Sequence, residues 1–321
     1  MAIKLSIICP VYKVAEYIPE LLNSLILGAN DKSVEFIFVN DACPDGSMDL
    51  CLEVLSNRKS EIKFSFQFFN LEKNSGQAFA RNVALSKAQG EYVGFLDSDD
   101  LISKKYWSVL SVEMNSGDQD IIEFGFQEFS GLPPTDQQIA PVKNILSSEI
   151  NPFITGFFVW TRVYKRELLK GLTFPEGMIY EDVYFNVLAF SKANSIGFVS
   201  KCLVFYRKRE GSTTASRSSN YSQLLENLIK SVRQVISKSG VRHLLMLELS
   251  KRCLLIVLKG INIKESKERI KFYSNCSPLL KEAARMNSDY GEGFMGVSGA
   301  LYITCANTTL KVLSLMARLK K

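Results

Sequence analysis

The sharpest chemical signal in the sequence is the segment Phe95–Asp100, where three carboxylates crowd the end of an apolar run. Residues i and i+2 of an extended segment point to the same side, so Asp97 and Asp99 can converge on one point. Carboxylates that converge repel each other unless a cation or a donor lies between them. Mn²⁺ or Mg²⁺, completed by diphosphate oxygens, fits this pattern. A helix N-cap formed by Asp99 or Asp100 explains the same residues without any metal ion.

Two further segments place polar residues where a ligand could approach the backbone. Val39–Ser47 is rich in small and turn-forming residues, and Asp41 within it could accept a hydrogen bond from a nucleobase. Taken alone, this segment is explained more simply by a plain turn between a strand and a helix, capped by Asp45, which needs no ligand. In Asn74–Asn82, Arg81 could neutralise a diphosphate, or it could form a surface ion pair.

A fourth segment, Phe174–Val183, contains the adjacent acids Glu181 and Asp182. Such a carboxylate could act as a general base, although the helix dipole alone also favours acids at a helix N-terminus. The chain has one histidine, His243, and seven cysteines without CxxC spacing, which nearly excludes zinc sites and Ser/His or Cys/His catalytic sets. We therefore expect a carboxylate base, and free thiols in a reduced, cytoplasmic compartment.

The apolar periodicity of the first hundred residues predicts the elements that carry these segments. Strands are predicted at Lys4–Cys9, Val34–Val39, Ile62–Phe68 and Tyr92–Leu96, and helices at Glu16–Leu27, Ser47–Leu55 and Gln77–Ala88. Successive β-α units predict an α/β protein with a doubly wound sheet, in which ligands bind at the carboxyl ends of the strands.

Five motifs occur in the order and approximate spacing of family 2 glycosyltransferases, namely Ser6–Tyr12, Val39–Ser47, Asn74–Asn82, Asp97–Asp100 and Tyr180–Asp182. The chain resembles the bacterial members of this family that build surface polysaccharides. Over about residues 3–212, the resemblance implies a GT-A (Rossmann-like) fold, with a mixed, mostly parallel sheet flanked by helices. It also implies transfer of a sugar, with inversion, from a nucleotide sugar such as a UDP-hexose to a glycan hydroxyl.

The resemblance assigns donor-binding roles residue by residue. Pro10 and Tyr12 would line the base pocket, and Asp41 would recognise uracil. Arg81 would face the nucleotide, and Asp97 would approach the ribose or the metal ion. The motif that contains Asp41 departs from the usual family pattern, which makes the nucleotide preference an open point.

The resemblance also assigns the metal, the base and the acceptor contacts. Asp99 would ligate Mn²⁺ or Mg²⁺ directly with Asp97 beside it, and Asp182, next to Glu181, would be the catalytic base. The absence of histidine from this half of the chain removes one possible additional metal ligand. The acceptor-binding residues expected from familial stretches are Trp160, Arg207 and Arg209.

Two rival functions remain open from the sequence. A sugar-nucleotide nucleotidyltransferase would use a similar sheet and similar carboxylates, but Cys9–Lys13 lacks the Gly-rich, basic loop that cradles phosphates. A non-catalytic module that binds a sugar nucleotide would have lost Asp99 or Asp182, and both are present.

Charge divides the chain into a predicted catalytic domain, residues 1–212, and a basic helical C-terminal region, residues 213–321. The first holds 21 Lys and Arg against 26 Asp and Glu, a balance of −5, and the second holds 18 against 7, a balance of +11. We expect the basic region to meet an anionic membrane surface, a lipid-linked acceptor or a second copy of the chain, and no nucleic acid.

The segment Leu301–Leu319 suits a helix that lies in the headgroup layer, which predicts peripheral attachment to the inner face of the cell membrane. Packing of these helices on the catalytic domain, or in a homodimer, is the alternative. No apolar run is long enough to span a bilayer, and Leu5–Cys9 is interpreted as a strand instead of an export signal.

Overall fold

The structure is a computed structural model that describes residues 2–134, 155–178, 180–209, 225–230, 271–272, 274–276 and 278. The chain divides into a first compact unit, Met1–Gly177 with Lys192–Arg209, and a second, Met178–Ser191 with Glu210–Lys321. The division expected at residue 212 stays a prediction. No local sequence pattern indicates that Met178–Ser191 belongs with the second unit.

An eight-stranded sheet forms the first unit, in the order β3-β2-β1-β4-β7-β6-β8-β5. The strands are β1 Leu5–Val11, β2 Val34–Asn40, β3 Ser65–Asn70, β4 Tyr92–Phe95, β5 Leu101–Ile102, β6 Ile121–Phe129, β7 Arg162–Lys165 and β8 Ile196–Arg207. Strands β1 to β4 pair in parallel, as do β6 and β8, whereas β7 and β5 pair antiparallel to their neighbours. This mixed, mostly parallel sheet confirms the predicted α/β class.

Helices cover the sheet as the apolar periodicity predicts. In the first unit they are α1 Ile18–Gly28, α2 Ser47–Asn57, α3 Gln77–Leu85 and α4 Tyr106–Ser116. A further helix, α5 Glu181–Lys192, belongs to the second unit except for its last residue. The apolar face of α1 is buried through Ile18, Leu21, Leu22, Leu25 and Ile26. Burial of such faces at about 25 cal/mol per Å² is the main force that joins helices to the sheet. The apolar runs of β1, β2 and β4 are buried in turn, as expected for strands covered on both faces.

Strand β8 is longer than the sequence suggested, because only its aromatic end, Leu203–Tyr206, has an obvious strand pattern. Its register against β6 shifts on either side of Gly125, which breaks the simple alternation of buried and exposed residues. The length matters because β8 carries Arg207 to the edge of the sheet where β4 ends.

A buried ion pair stabilises the β6–β7 part of the sheet. Arg162 Nη2 lies 2.9 Å from Glu123 Oε1, and both side chains are inaccessible to solvent at 0% and 1% exposure. The same Glu123 oxygen accepts hydrogen bonds from the backbone N–H of Thr155 at 2.5 Å and its hydroxyl at 2.6 Å. Removal of either partner would therefore leave an uncompensated charge in the core.

In the second unit, residues 225–230 form a helix that buries Leu225, Leu228 and Ile229, in agreement with the 3.6-residue period of that segment. The rest of the predicted helical region, including Leu301–Leu319, lies outside the described residues. Of the helices that the structure describes, none is long and apolar enough to cross a membrane.

We predict that Glu123→Ala lowers the free energy of unfolding by about 3–5 kcal/mol, because it strands the buried Arg162 charge. Urea unfolding followed by circular dichroism measures the change. The control is Glu167→Ala, which removes an exposed pair with Lys170 and should leave the stability unchanged. Equal stability of the two variants would show that the Glu123 pair is not a core contact.

Candidate active site

The carboxyl ends of the parallel strands β1 to β4 meet at one edge of the sheet. Tyr12 follows β1, Asp41 follows β2, and the carboxylate cluster, defined here as Asp97, Asp99 and Asp100, follows β4. The hydroxyl of Ser98 donates to the carbonyl of Pro10 at 2.5 Å and so ties the end of β4 to β1. The structure therefore brings together the donor-site residues that the sequence placed on separate motifs.

Asp41 organises the loop that leads from β3 into α3. Its Oδ1 accepts from the backbone N–H of Ser75 at 2.6 Å, and its Oδ2 accepts from that of Gly76 at 2.8 Å. Gly76 has a φ of +85°, which a residue with a side chain adopts only under strain. Asp41 is 3% exposed, so its first role is to hold this turn. Recognition of a base, predicted from the sequence, would use the remaining lone pairs of its oxygens.

Tyr12 is 37% exposed beyond the end of β1, as a residue that stacks on a nucleobase would be. The loop after it is fixed by side chains of the β2–α2 loop. The backbone N–H groups of Lys13, Val14 and Ala15 donate to Cys43 Sγ, Ser47 Oγ and Asp45 Oδ2 at 2.9, 3.0 and 3.2 Å. Partial burial raises the pKa of Asp45, but hydrogen bonds from the Cys43 thiol, the Ser47 hydroxyl and the backbone N–H groups of Ala15 and Ser47 bring it down to about 2.

Arg81 supports the first member of the carboxylate cluster. Its Nη2 lies 2.8 Å from Asp97 Oδ1, its guanidinium lies over the ring of Phe174 at 5.4 Å, and its side chain is 1% exposed. The Arg81 side of this pair is buried, whereas Asp97 stays partly exposed. Contact of Arg81 with the nucleotide stays a prediction.

The end of β8 supplies two arginines to the other members of the cluster. The backbone N–H of Arg207 donates to Asp100 Oδ1 at 2.8 Å, and its Nε donates to the carbonyl of Asp99 at 2.8 Å. Arg209 donates from Nε to Asp99 Oδ2 at 2.6 Å. Strands β5 and β8 pair antiparallel, with Leu101 opposite Phe205. If this register continues beyond the start of β5, Asp99 lies opposite Arg207, which explains why these arginines meet the cluster.

Burial and mutual repulsion act on the carboxylates of the cluster. Burial and the charge of Asp97 raise the pKa of Asp99, with Arg209 opposing the shift. Asp100 is fully buried, and burial together with the charges of Asp99 and Asp97 raises its pKa well above the usual range. Asp100 Oδ2 has no hydrogen-bond partner within the described part of the chain. The cluster thus depends on its arginines for charge compensation.

Two of the residues expected to bind the acceptor, Trp160 and Arg207, are buried in the structure, and their contact with the acceptor stays a prediction. Trp160 is 3% exposed and stacks on Tyr206 and Phe158, so it belongs to the aromatic core. Arg207 is 7% exposed and pairs with Glu20 at 2.6 Å, so it braces the sheet. Both residues have apolar or charged partners that the sequence pattern did not reveal. Arg209, at 30% side-chain exposure, is the one of the three that solvent reaches substantially.

The contacts of the cluster bear on the expected metal ion. Asp97 and Asp99 remain 26% and 18% exposed, yet each already uses an oxygen for an arginine. No three His, Cys, Asp or Glu side chains in the described ranges are arranged to hold a metal ion. A divalent cation at Asp99 would compete with Arg209 for the same carboxylate. The residues as arranged do not fit a resident divalent cation, and Mn²⁺ or Mg²⁺ stays a prediction from the sequence.

Glu181 and Asp182 form the first turn of α5, in the second unit. Glu181 is 4% exposed, and the half-buried Asp182 accepts from the side-chain amide of Asn186 through its backbone carbonyl at 2.9 Å. Asn227 of the second unit donates to the carbonyl of Tyr180 at 3.5 Å. The role of Asp182 as the base stays a prediction.

Backbone strain marks three of the motifs. In the described residues, the non-glycine positions with positive φ are Lys13, Ala42 and Tyr180, at +54°, +51° and +64°. Each adjoins a predicted site residue, namely Tyr12, Asp41 and Glu181. Such conformations cost about 1–3 kcal/mol each and collect at functional sites.

Comparison with known proteins identifies the family. Residues 6–173, more than half of the chain, match the model of glycosyl transferase family 2. The chain belongs to this family. The sequence resemblance carried by the five motifs is therefore confirmed.

Two of its relatives within the family are bacterial glycosyltransferases. The family 2 chain is 32% identical over 224 residues to EpsJ of Bacillus subtilis, described as an uncharacterised glycosyltransferase, and covers 62% of it. It is 33% identical over 221 residues to TarS of Staphylococcus aureus, a poly(ribitol-phosphate) β-N-acetylglucosaminyltransferase. These matches cover 65% and 66% of this chain, and the second covers only 37% of TarS.

The fold is shared with a solved structure of TarS. The crystal structure of TarS 1–349 in complex with UDP-GlcNAc matches with a TM-score of 0.72 at 23% identity, covering 99% of this chain and 93% of that one. The predicted GT-A architecture is confirmed by this similarity.

Sequence reasoning missed Asn82, and it missed the ion pair through which Arg209 joins the site. The amide of Asn82 donates to the carbonyl of Phe174 at 2.9 Å and accepts from its N–H at 2.7 Å, which anchors the loop before Gly177. Arg209 was predicted to meet the acceptor, whereas it pairs with Asp99. The sequence did contain a signal for this pairing. Arg207 and Arg209 stand two residues apart at the end of a strand, as Asp97 and Asp99 do.

We predict that Asp41→Asn lowers the free energy of unfolding by about 1–3 kcal/mol, because an amide cannot accept both backbone hydrogen bonds. Amide hydrogen exchange at Ser75 and Gly76 should accelerate. The control is Asp49→Asn on the exposed face of α2, which should change neither measurement. Unchanged exchange at Ser75 and Gly76 in the Asp41 variant would contradict the assignment.

Proposed function

We propose that this family 2 chain transfers a hexose or N-acetylhexosamine, with inversion, from a UDP-sugar to a hydroxyl of a surface-polymer glycan. The observation that carries the proposal is the convergence of Tyr12, Asp41 and the carboxylate cluster at the carboxyl edge of the sheet. Open α/β sheets bind nucleotides at this edge. The UDP-GlcNAc complex of TarS supports a uridine nucleotide as the donor.

In this proposal, one group of residues at the edge of the sheet binds the base of the nucleotide, and another binds its ribose and diphosphate. The exposed ring of Tyr12 offers a stacking face to uracil, and Asp41 offers acceptor lone pairs to its N–H. The ribose lies near Asp97, and the diphosphate lies near the arginine that pairs with Asp99. Because negative charge grows on the leaving diphosphate, fixed positive charge there is the largest available source of rate.

The acceptor hydroxyl needs a base on the opposite face of the donor sugar. The resemblance assigns this role to Asp182, and the strained Tyr180 two residues earlier supports a functional role for the turn. Direct displacement by the hydroxyl forms the new glycosidic bond as the bond to UDP breaks, and Asp182 receives the proton. No covalent nucleophile is required.

We also propose that the acceptor is carried by a lipid diphosphate, at the anionic inner surface of the membrane. The support is the charge balance of +11 in residues 213–321, which suits an anionic surface. A basic surface that contacts a second copy of the chain is the competing explanation.

We predict that UDP-sugars are hydrolysed or transferred at least about 10-fold faster than GDP- and TDP-sugars, because unsatisfied base contacts penalise the wrong nucleotide. Release of the nucleoside diphosphate measures the reaction for each donor. A chain that instead makes UDP-sugar and pyrophosphate from UTP and a sugar 1-phosphate would be a nucleotidyltransferase. That result would overturn the proposal.

We predict that Asp182→Asn lowers kcat by about 10²–10⁴-fold with an unchanged Kd for UDP, because the amide is nearly isosteric but takes no proton. Glu181→Gln should have a milder effect on kcat. Circular dichroism should show both variants folded. If Glu181→Gln proves the more damaging variant, the base has been assigned to the wrong carboxylate.

A further inference from the structure

We propose that Arg209 is the cation that meets the donor diphosphate at Asp99, so that donor binding requires no divalent metal ion. This inference rests on the proposed function, since it specifies how that site holds its nucleotide. The contact that carries it is the ion pair of Arg209 Nε with Asp99 Oδ2 at 2.6 Å. Asp99 is the carboxylate that the sequence assigned to a metal ion.

The geometry of the pair suits anion recognition. The hydrogen bond to Asp99 uses one of the five N–H donors of the guanidinium and fixes the group in place. The guanidinium lies 5.4 Å from the ring centroid of Tyr17, which limits its motion further. A planar guanidinium held by one edge can present its other donors to two phosphate oxygens.

Arg209 suits this role better than the other arginines of the site. Arg81 is 1% exposed and forms an ion pair with Asp97. Arg207 is 7% exposed, forms an ion pair with Glu20 and donates to the carbonyl of Asp99. Arg209 keeps 30% of its side chain exposed while it contacts the cluster. Lys13, with Nζ 5.3 Å from the ring centroid of Tyr12, adds a second accessible cation at the same edge.

The charge balance of the cluster also disfavours a metal ion. Each partly exposed carboxylate, Asp97 and Asp99, already has an arginine as counter-ion. A divalent cation at Asp99 would have to displace Arg209 or share its carboxylate at the cost of repulsion between the two cations. A guanidinium supplies permanent positive charge at every physiological pH, without recruitment from solution.

The test measures UDP binding to the full chain by isothermal titration calorimetry, once in EDTA and once in Mn²⁺. The variants are Arg209→Gln, Arg209→Lys and, as the matched control, Lys208→Gln, whose side chain pairs with Glu128 instead. We expect the wild-type Kd to agree within about 2-fold between the two conditions. In EDTA, Arg209→Gln should weaken binding by about 10-fold or more, Arg209→Lys by less, and Lys208→Gln by less than about 2-fold.

Removal of the guanidinium leaves the Asp99 carboxylate without its counter-ion, so Mn²⁺ should partly restore UDP binding to Arg209→Gln. Wild-type binding that disappears in EDTA and returns with Mn²⁺ would overturn the inference and leave the proposed function standing. Unchanged binding by Arg209→Gln in EDTA would also overturn it. Absence of UDP binding by the wild type in both conditions would instead contradict the proposed function itself.

Discussion

Compensation of charge at the end of β4 is the constraint on which the site depends. Three carboxylates lie within four residues, with Asp100 fully buried and Asp97 and Asp99 partly exposed, and cations placed beside them stabilise their charges. The fold brings those cations from distant parts of the first unit. Arg81 comes from α3, and Arg207 and Arg209 come from the end of β8. The same contacts fix the carboxylates in position for a ligand.

The need to place arginines beside the carboxylates accounts for antiparallel pairing in the sheet, which a purely parallel architecture lacks. The short strand β5 follows the cluster directly and pairs antiparallel with β8, which sets the arginines against the acids. At the same edge, Asp41 ties the end of β2 to the β3–α3 loop, and Ser98 ties the end of β4 to β1. The donor edge is therefore rigid before any ligand arrives, as a site that stabilises developing charge should be.

Much of the fold and the place of the site could be predicted from the sequence, because both depend on local patterns. The period of the apolar residues locates β1 to β4 and α1 to α3, and parallel strands necessarily bring Tyr12, Asp41 and Asp97 to one edge. Partners that lie 39 or 110 residues apart in the chain, as in the pairs below, carry no local pattern. The burial of Trp160, the pairing of Arg209 with Asp99 and the core pair of Glu123 with Arg162 were accordingly missed.

The most direct measurement is a crystal structure of the full chain grown with UDP in the presence of EDTA. The account predicts uracil against Tyr12 and the diphosphate within hydrogen-bond distance of the guanidinium of Arg209, with the ion pair to Asp99 retained. UDP bound at another surface, or density for UDP that forms only with Mn²⁺ and displaces Arg209 from Asp99, would contradict it.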